Sequence, residues 1–356
     1  MLLYIGMEKS NISLAKKRLI TIIVLSTLLV VLFISSIFIG SSHMSFIDGF
    51  KALFGQGENS NIIIVRNIRL PRIIAALLAG IGLSISGVIM QTMSNNVMAS
   101  PSTLGVSNAA VLGANIAIII LGGGVIVANG GNINISNPYF VSGIAFIFAL
   151  LTTLFVLFLA RFKKYNSATT VLIGITFGTF CTGVTTIIQY FASDTALSSA
   201  IYWSFGDLGR ASYEDDLIML VVVFIALTFF MIFSYRYNAM LLGEGSVETL
   251  GINIKLFRFI SLLLASLLTA VIVSLLGIIG FIGLLVPQVV RRLIGNDHKF
   301  LLIGSSLLGA VVLLFADILA RMLMNGISLP VGALTSIIGA PIFVIILIKG
   351  RRNVHA

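Results

Sequence analysis

An all-α, polytopic membrane protein of about ten transmembrane helices follows from three observations on this sequence. Of its 356 residues, 58% are hydrophobic and only 10% are charged, and the mean hydropathy is +1.12; a soluble domain carries about a quarter charged residues. The apolar residues come in long runs, and a helix needs roughly 20 of them to cross a bilayer, so about ten crossings fit. The 34 glycines are plentiful, as expected where helix backbones pack closely in lipid. No linker or low-complexity tract divides the chain. Residues 1–356 read as one transmembrane domain, with a tail at 1–18, helices over about 19–349 and a polar cytoplasmic segment over about 240–255.

The tail ends in Lys16, Lys17 and Arg18, and the apolar run 19–40 follows. That run is longer than a signal-peptide core and no small-residue cleavage site ends it, so it is a retained first helix; Met7 is a second candidate start. The next helix, 70–93, opens on Pro71, which suits a first turn where a missing N–H costs nothing. Asn95, Asn96 and Pro101 make the turn before 104–122. A glycine- and asparagine-rich surface loop, 123–138, leads into 139–162. Helices at 168–192, 215–235, 256–276, 278–295, 301–323 and 331–349 complete the ten, and Pro287 shortens or breaks the eighth.

One long polar stretch interrupts the second half, LLGEGSVETLG at 241–251. Gly243 and Gly251 bracket room for about two helical turns, and Gly251 suits the left-handed position that ends a helix. Glu244 and Glu248 share one face, Val247 and Leu250 another, and Asn253 can cap the helix that follows. Two readings stand: a short amphipathic helix presented to a soluble partner, or an ordinary amphipathic loop.

Charge distribution sets the orientation. With the N-terminus inside and ten crossings, six of the 22 basic residues fall outside (Lys51, Arg66, Arg69, Arg72, Arg210 and Arg321) and the other sixteen inside, as the positive-inside rule requires. Eight of the 12 acidic residues fall outside. Both termini and the 241–251 stretch are then cytoplasmic, and the net charge of +10 reports membrane topology, with no call for nucleic acid. The lone Cys181 excludes an internal disulfide or a cysteine-based metal cluster. His43, His298 and His355 lie in separate loops, so no metal site is expected. No G-x-x-x-x-G-K-[ST] occurs, so ATP is not held here by a P-loop, and no nucleophile–base pair points to catalysis.

Three polar constellations remain. Arg69 and Arg72 in RLPR, with Arg321 in ADILAR, face outward near the membrane surface; they either anchor to lipid headgroups or offer cations to a carboxylate-bearing partner. Asp317 and Arg321, i and i+4, can pair. Helix 70–93 carries Gly80, Gly82, Ser84, Ser86, Gly87 and Gln91, small and polar residues that either pack closely or line a polar path.

These motifs, taken together, resemble the permeases of the vitamin B12 and iron–siderophore ABC importer family. The likeness is carried by RLPR at 69–72, LAGIGLSISGVIMQ at 78–91, NNVMASPSTLGVSN at 95–108, LGEGSVETLG at 242–251, GFIGLLVPQVVRR at 280–292, NDHK at 296–299, ADILAR at 316–321 and SLPVGALTSIIGAP at 328–341. WSFGDL at 203–208 resembles the family's W-x-x-G-S-L with Asp207 at the serine. The resemblance implies a dimer of permeases, identical or paralogous, around a central pathway in the cell membrane. It also implies two cytoplasmic ATPases that hold ATP and Mg, no cofactor in this chain, and an outer substrate-binding protein. It gives Arg69, Arg72 and Arg321 the docking of that protein, and the segment Leu242, Gly243, Glu244, Val247, Glu248, Leu250 and Gly251 the ATPase contact. Asn96 and Met98, with Ser167 and Ala168, fall where the family narrows the pathway, which Ser84, Ser86 and Gln91 would line. Two departures are Val97-Met98 in place of the family's proline-leucine, and Gln288 in place of histidine after Pro287. The cargo this implies is an iron(III)–siderophore complex, with haem and vitamin B12 next. An ion-coupled secondary transporter would want several intramembrane acids, and Asp317, already provided with a partner, is the one that qualifies. A purely structural scaffold would need neither the outer arginines nor a glycine-bounded cytoplasmic helix.

Overall fold

The computed structural model describes residues 2–40, 44–123, 137–162, 167–243, 247, 251, 253–323 and 328–351. Thirteen helices are formed among them: α1 Leu2–Phe38, α2 Phe46–Leu53, α3 Asn59–Met93, α4 Val106–Ile120, α5 Pro138–Phe162, α6 Ser167–Tyr190, α7 Asp194–Ser204, α8 Tyr213–Ile232, α9 Ser234–Met240, α10 Ile254–Leu276, α11 Ile282–Ile294, α12 His298–Met322 and α13 Val331–Arg351. Ten of them correspond to the ten predicted runs. The other three, α2, α7 and α9, are 7 to 11 residues long, too short for a window tuned to a membrane crossing.

The bundle is organised around α3. In its most apolar window 83% of residues are buried, against 17% in α1 and 22% in α6. Helices α8, α10, α11 and α12 pack around it. Two glycines make this approach close enough: a Cβ on Gly80 would stand 2.4 Å from the Gly309 carbonyl of α12, and one on Gly87 would collide with the Gly283 carbonyl of α11. The first turns of α3 widen, so that the Leu70 N–H reaches back to Val65. Pro71 has no N–H for the carbonyl four residues behind it, and the ladder there slips by one residue.

The predicted eighth helix, 278–295, begins later than its hydropathy suggests. Its break lies at Gly277–Phe281 and not at Pro287, which sits inside α11. Gly277 has φ +82° and Phe281 φ +65°, and between them Ile278 runs alongside Phe205 in a short parallel bridge. The Gly332 N–H donates to Gly206 at 3.0 Å, and the Asp207 N–H to Leu276 at 3.0 Å. Three chain segments therefore cross here through glycine backbones. Non-helical backbone at this depth is tolerated where protein satisfies its polar groups.

The bundle has two distinct ends. One holds Arg69, Arg72 and Arg321 together with α2, α7 and the start of α8; we refer to it as the arginine end. The other holds residues 94–99, α9 and His298, and is the histidine end.

Candidate functional site

At the arginine end the three predicted docking arginines are buried, each 5–8% exposed. The outward-facing trio expected from the sequence is turned inward because the chain itself supplies the acceptors. Asp317, fully buried on α12, accepts from Arg72 Nε at 2.5 Å and forms an ion pair with Arg321 Nη2 at 2.9 Å. Asp207 stands 3.9 Å from Arg72 Nη2, and Ser328 Oγ accepts from Arg72 Nη1 at 3.2 Å. Asp207 also caps the turn Leu208–Arg210 by accepting the Gly209 N–H at 2.9 Å, so the acid found in place of serine serves two partners.

The same arginines close the C-terminus of α1. Arg69 Nη1 donates to Ile37 O at 2.6 Å and Phe38 O at 3.0 Å. Arg321 Nη1 donates to Ser36 O at 3.0 Å and Ile39 O at 2.9 Å, and its Nη2 bonds Ser36 Oγ. The last carbonyls of a helix lack partners within it and carry a partial negative charge, so in an apolar setting a guanidinium fork is well matched to them. The device recurs. Arg66 bonds Leu53 O at the end of α2 at 2.9 and 3.0 Å, and Arg210 bonds Trp203 O and Tyr202 O at the end of α7 at 3.1 and 3.2 Å. Arg18 bonds Ile294 O at the end of α11 at 3.0 Å, and Arg292 bonds Ile346 O near the end of α13. Among the described residues, the exposed cations at the arginine end are Lys51 and Arg66.

On α3 the polar residues proposed for a pathway are turned into the protein. Ser84 and Ser86 are fully buried and Gln91 is 2% exposed. The Ser84 hydroxyl bonds Gly80 O within its own helix and packs against Gly309 of α12. Gln91 Nε2 donates to Leu284 O at 3.1 Å and to Gly283 O at 3.5 Å. Gly283 is four residues before Pro287, so its carbonyl is the one the proline leaves without an N–H. Gln91 thus supplies from α3 the hydrogen bond that Pro287 removes from α11, which is how the proline is held inside a continuous helix.

At the histidine end the turn after α3 is exposed at Val97 and Met98, 48% and 49%. Asn96 Oδ1 accepts the Met98 N–H at 2.9 Å. Gln288, the residue in place of histidine, bonds Val97 O and so ties this turn to α11. Ser167 begins α6; its side chain and that of Ala168 lie outside the described residues. Glu244, Glu248 and Leu250 also lie outside them. Gly243 and Gly251 adopt left-handed φ values of +102° and +71°, and Asn253 Oδ1 accepts the Leu256 N–H at 3.1 Å. Val247 is helical but fully buried, packed with Ala239, Met240 and Ile254. It is seated in this chain and not offered to a partner, whereas Leu242 is 77% exposed.

Next to α9 lies a polar node that sequence reading missed, because its members are far apart in the chain. His298, fully buried, meets Thr92 Oγ1 through Nε2 at 2.7 Å and Asn238 Oδ1 through Nδ1 at 2.8 Å. An amide oxygen only accepts, so Nδ1 carries the proton. Asn238 Oδ1 also takes the His298 N–H at 2.8 Å, and Asn238 Nδ2 donates to Asp297 at 3.1 Å. Asp297 in turn pairs with Arg18 at 3.5 Å, and Arg291 Nη2 donates to Thr92 at 3.3 Å. The node joins α1, α3, α9, α11 and α12, and α9 runs directly into residues 241–251. The one hint in the sequence is NDHK at 296–299, where Asp297 caps α12 by accepting the Lys299 N–H at 3.2 Å.

Comparison with known proteins now bears on this architecture. The profile of the FecCD transport family matches residues 28–349. The chain belongs to that family. It is 42% identical over 342 residues to an ABC transporter permease protein of Methanocaldococcus jannaschii, covering 95% of this chain and 97% of the relative. It is 34% identical over 333 residues to the Fe(3+)-citrate import system permease protein YfmE of Bacillus subtilis, covering 93% and 96%. Among solved structures, an inward-facing metal-chelate type ABC transporter superposes with a TM-score of 0.79 at 28% identity, covering 92% of this chain and 98% of that one. As a FecCD member the chain is a multi-pass membrane permease subunit of an ABC importer. Among the described residues seven helices are long and apolar enough to cross a membrane, and with the shorter apolar helices α4, α11 and α13 the count approximately fits the ten of that fold.

Proposed function

We propose that this permease carries iron(III)–siderophore complexes, as half of a dimeric pore served by two ATPases that bind ATP and Mg and by an outer substrate-binding protein. Both termini and the histidine end face the cytoplasm. The observation that carries this reading is the 241–251 connection. It is bracketed by two left-handed glycines, exposes Leu242, and is rooted through α9 in the His298 node. Energy from a separate ATPase has to enter the permease by contact, and here a displacement of α9 pulls on four other helices through hydrogen bonds. The iron relative and the metal-chelate structure favour a chelate as cargo. The binding-protein contact falls on the exposed rim of the arginine end, with Arg69, Arg72 and Arg321 as the frame that shapes it and Lys51 and Arg66 as its available cations.

The test is uptake by proteoliposomes holding the permease with its co-expressed ATPase and binding protein. Iron(III)–siderophore, hemin and cobalamin are offered in parallel. ATP-dependent accumulation of the iron(III)–siderophore alone is the expected result. Accumulation of hemin or cobalamin in its place would reassign the cargo, and accumulation driven by an ion gradient without ATP would overturn the coupling.

A further inference from the structure

Two helices of this bundle begin inside it and not at its ends. Leu83 lies 13 residues after Leu70 and 10 before Met93 on α3, which at 1.5 Å per residue is about 20 and 15 Å from those points. At that level a cavity of about 200 Å³ is walled by Leu83, by Thr269 of α10, by Ser107 in the first turn of α4 and by Gly283 in the first turn of α11. Both helices are long enough to present a terminus, 15 residues for Val106–Ile120 and 13 for α11. Their N-caps, Gly105 at φ +78° and Phe281 at φ +65°, are left-handed, and neither supplies a side-chain cap.

Donors without partners stand at both helix starts in this wall. Ser107 is 5% exposed, and its hydroxyl has no partner among the described residues. The Thr269 hydroxyl, by contrast, returns to Ala265 O at 3.1 Å. The Gly283 N–H has no partner among the described residues either. Ser100 and Ser102, also in the wall, meet each other at 2.8 Å, which leaves one of their two O–H groups to give. No charged side chain lines the cavity. Helix N-termini carry roughly half a positive charge each, and polar groups left unpaired at apolar depth are costly. Unpartnered donors, two positive dipole ends and no carboxylate suit an acceptor carrying negative charge, and a space of about 200 Å³ suits one of a few atoms.

We infer that this cavity binds a small monovalent anion, a halide or a formate-sized carboxylate, between the N-termini of α4 and α11. Such a ligand satisfies both helix starts at once and ties α4 to α11. The site is independent of the identity of the cargo.

The experiment is thermal unfolding of the full-length chain in lipid nanodiscs, in sodium chloride, formate or gluconate at constant ionic strength. Chloride and formate should raise Tm saturably, while bulky gluconate should not. Ser107→Ala should raise the anion concentration for half-effect about tenfold or more, the usual weight of a hydrogen bond to a charged group. Should that variant fail to fold, bromide soaked into crystals of the unaltered chain should give an anomalous peak between Ser107 and Gly283. Superimposable curves in chloride and gluconate, an unshifted midpoint in Ser107→Ala, or bromide absent from this cavity would each overturn the inference and leave the space to water.

Discussion

The two ends of this bundle solve the same problem with different chemistry. At the arginine end, three guanidiniums and Asp317 are buried, and the side-chain hydrogen bonds that close α1 come from guanidiniums. At the histidine end, the buried contacts around His298 are bonds between a histidine, a threonine and an asparagine, with charge only at the rim in Arg18, Asp297 and Arg291. A buried ion pair is costly to open, because each partner then faces an apolar medium alone. Hydrogen bonds between neutral groups can be exchanged at about 0.5–1.5 kcal/mol each. The difference assigns one end to holding shape and the other to changing it, which suits a permease driven from the histidine side.

The comparison is broken most severely at Asp317. Asp317→Ala leaves Arg72 and Arg321 buried without their shared carboxylate, and the expected loss is about 3–5 kcal/mol, read as a large drop in Tm and in yield. An Asp317→Ala chain as stable as the parent would show that the arginine end is not ionically locked. Second in size is Gln91→Leu, which strands the carbonyl freed by Pro287 and should cost about 1–3 kcal/mol. Adding Pro287→Ala restores an N–H to that carbonyl, so the double variant should recover part of the loss; strict additivity would refute the link between the two residues.

Asn238→Ala removes acceptor and donor from the histidine node and should cost about 1–2 kcal/mol. Its larger consequence should be functional, with ATP hydrolysed in the assembled transporter but transport reduced. Full coupling in that variant would separate the node from the drive. The smallest stability effect belongs to Leu242→Asp. A 77% exposed side chain should change stability by no more than about 0.5 kcal/mol, while ATPase co-purification should fall sharply. Unchanged co-purification would move the contact to the exposed turn at Val97 and Met98.

What the sequence determined by itself about this protein is what local physics encodes. Hydropathy over windows of a crossing's length located ten helices, and the positive φ of Gly251 follows from the residue that tolerates it best. The cap at Asn253 needs only the next three residues, and the Asp317–Arg321 pair only one turn of helix. The tertiary structure alone decided which way the arginines face. Arg72 and Asp317 are 245 residues apart, Arg321 and the end of α1 more than 280. Alternation and composition carry no information about which carbonyls a long, flexible side chain will find. The same holds for Val247, amphipathic in sequence yet buried against Ala239 and Ile254, and for Gln91, whose polarity suggested a water path until Gly283 and Leu284 were brought beside it. In an apolar medium a polar group goes to whichever partner satisfies it, and that partner is chosen by the packing of distant helices.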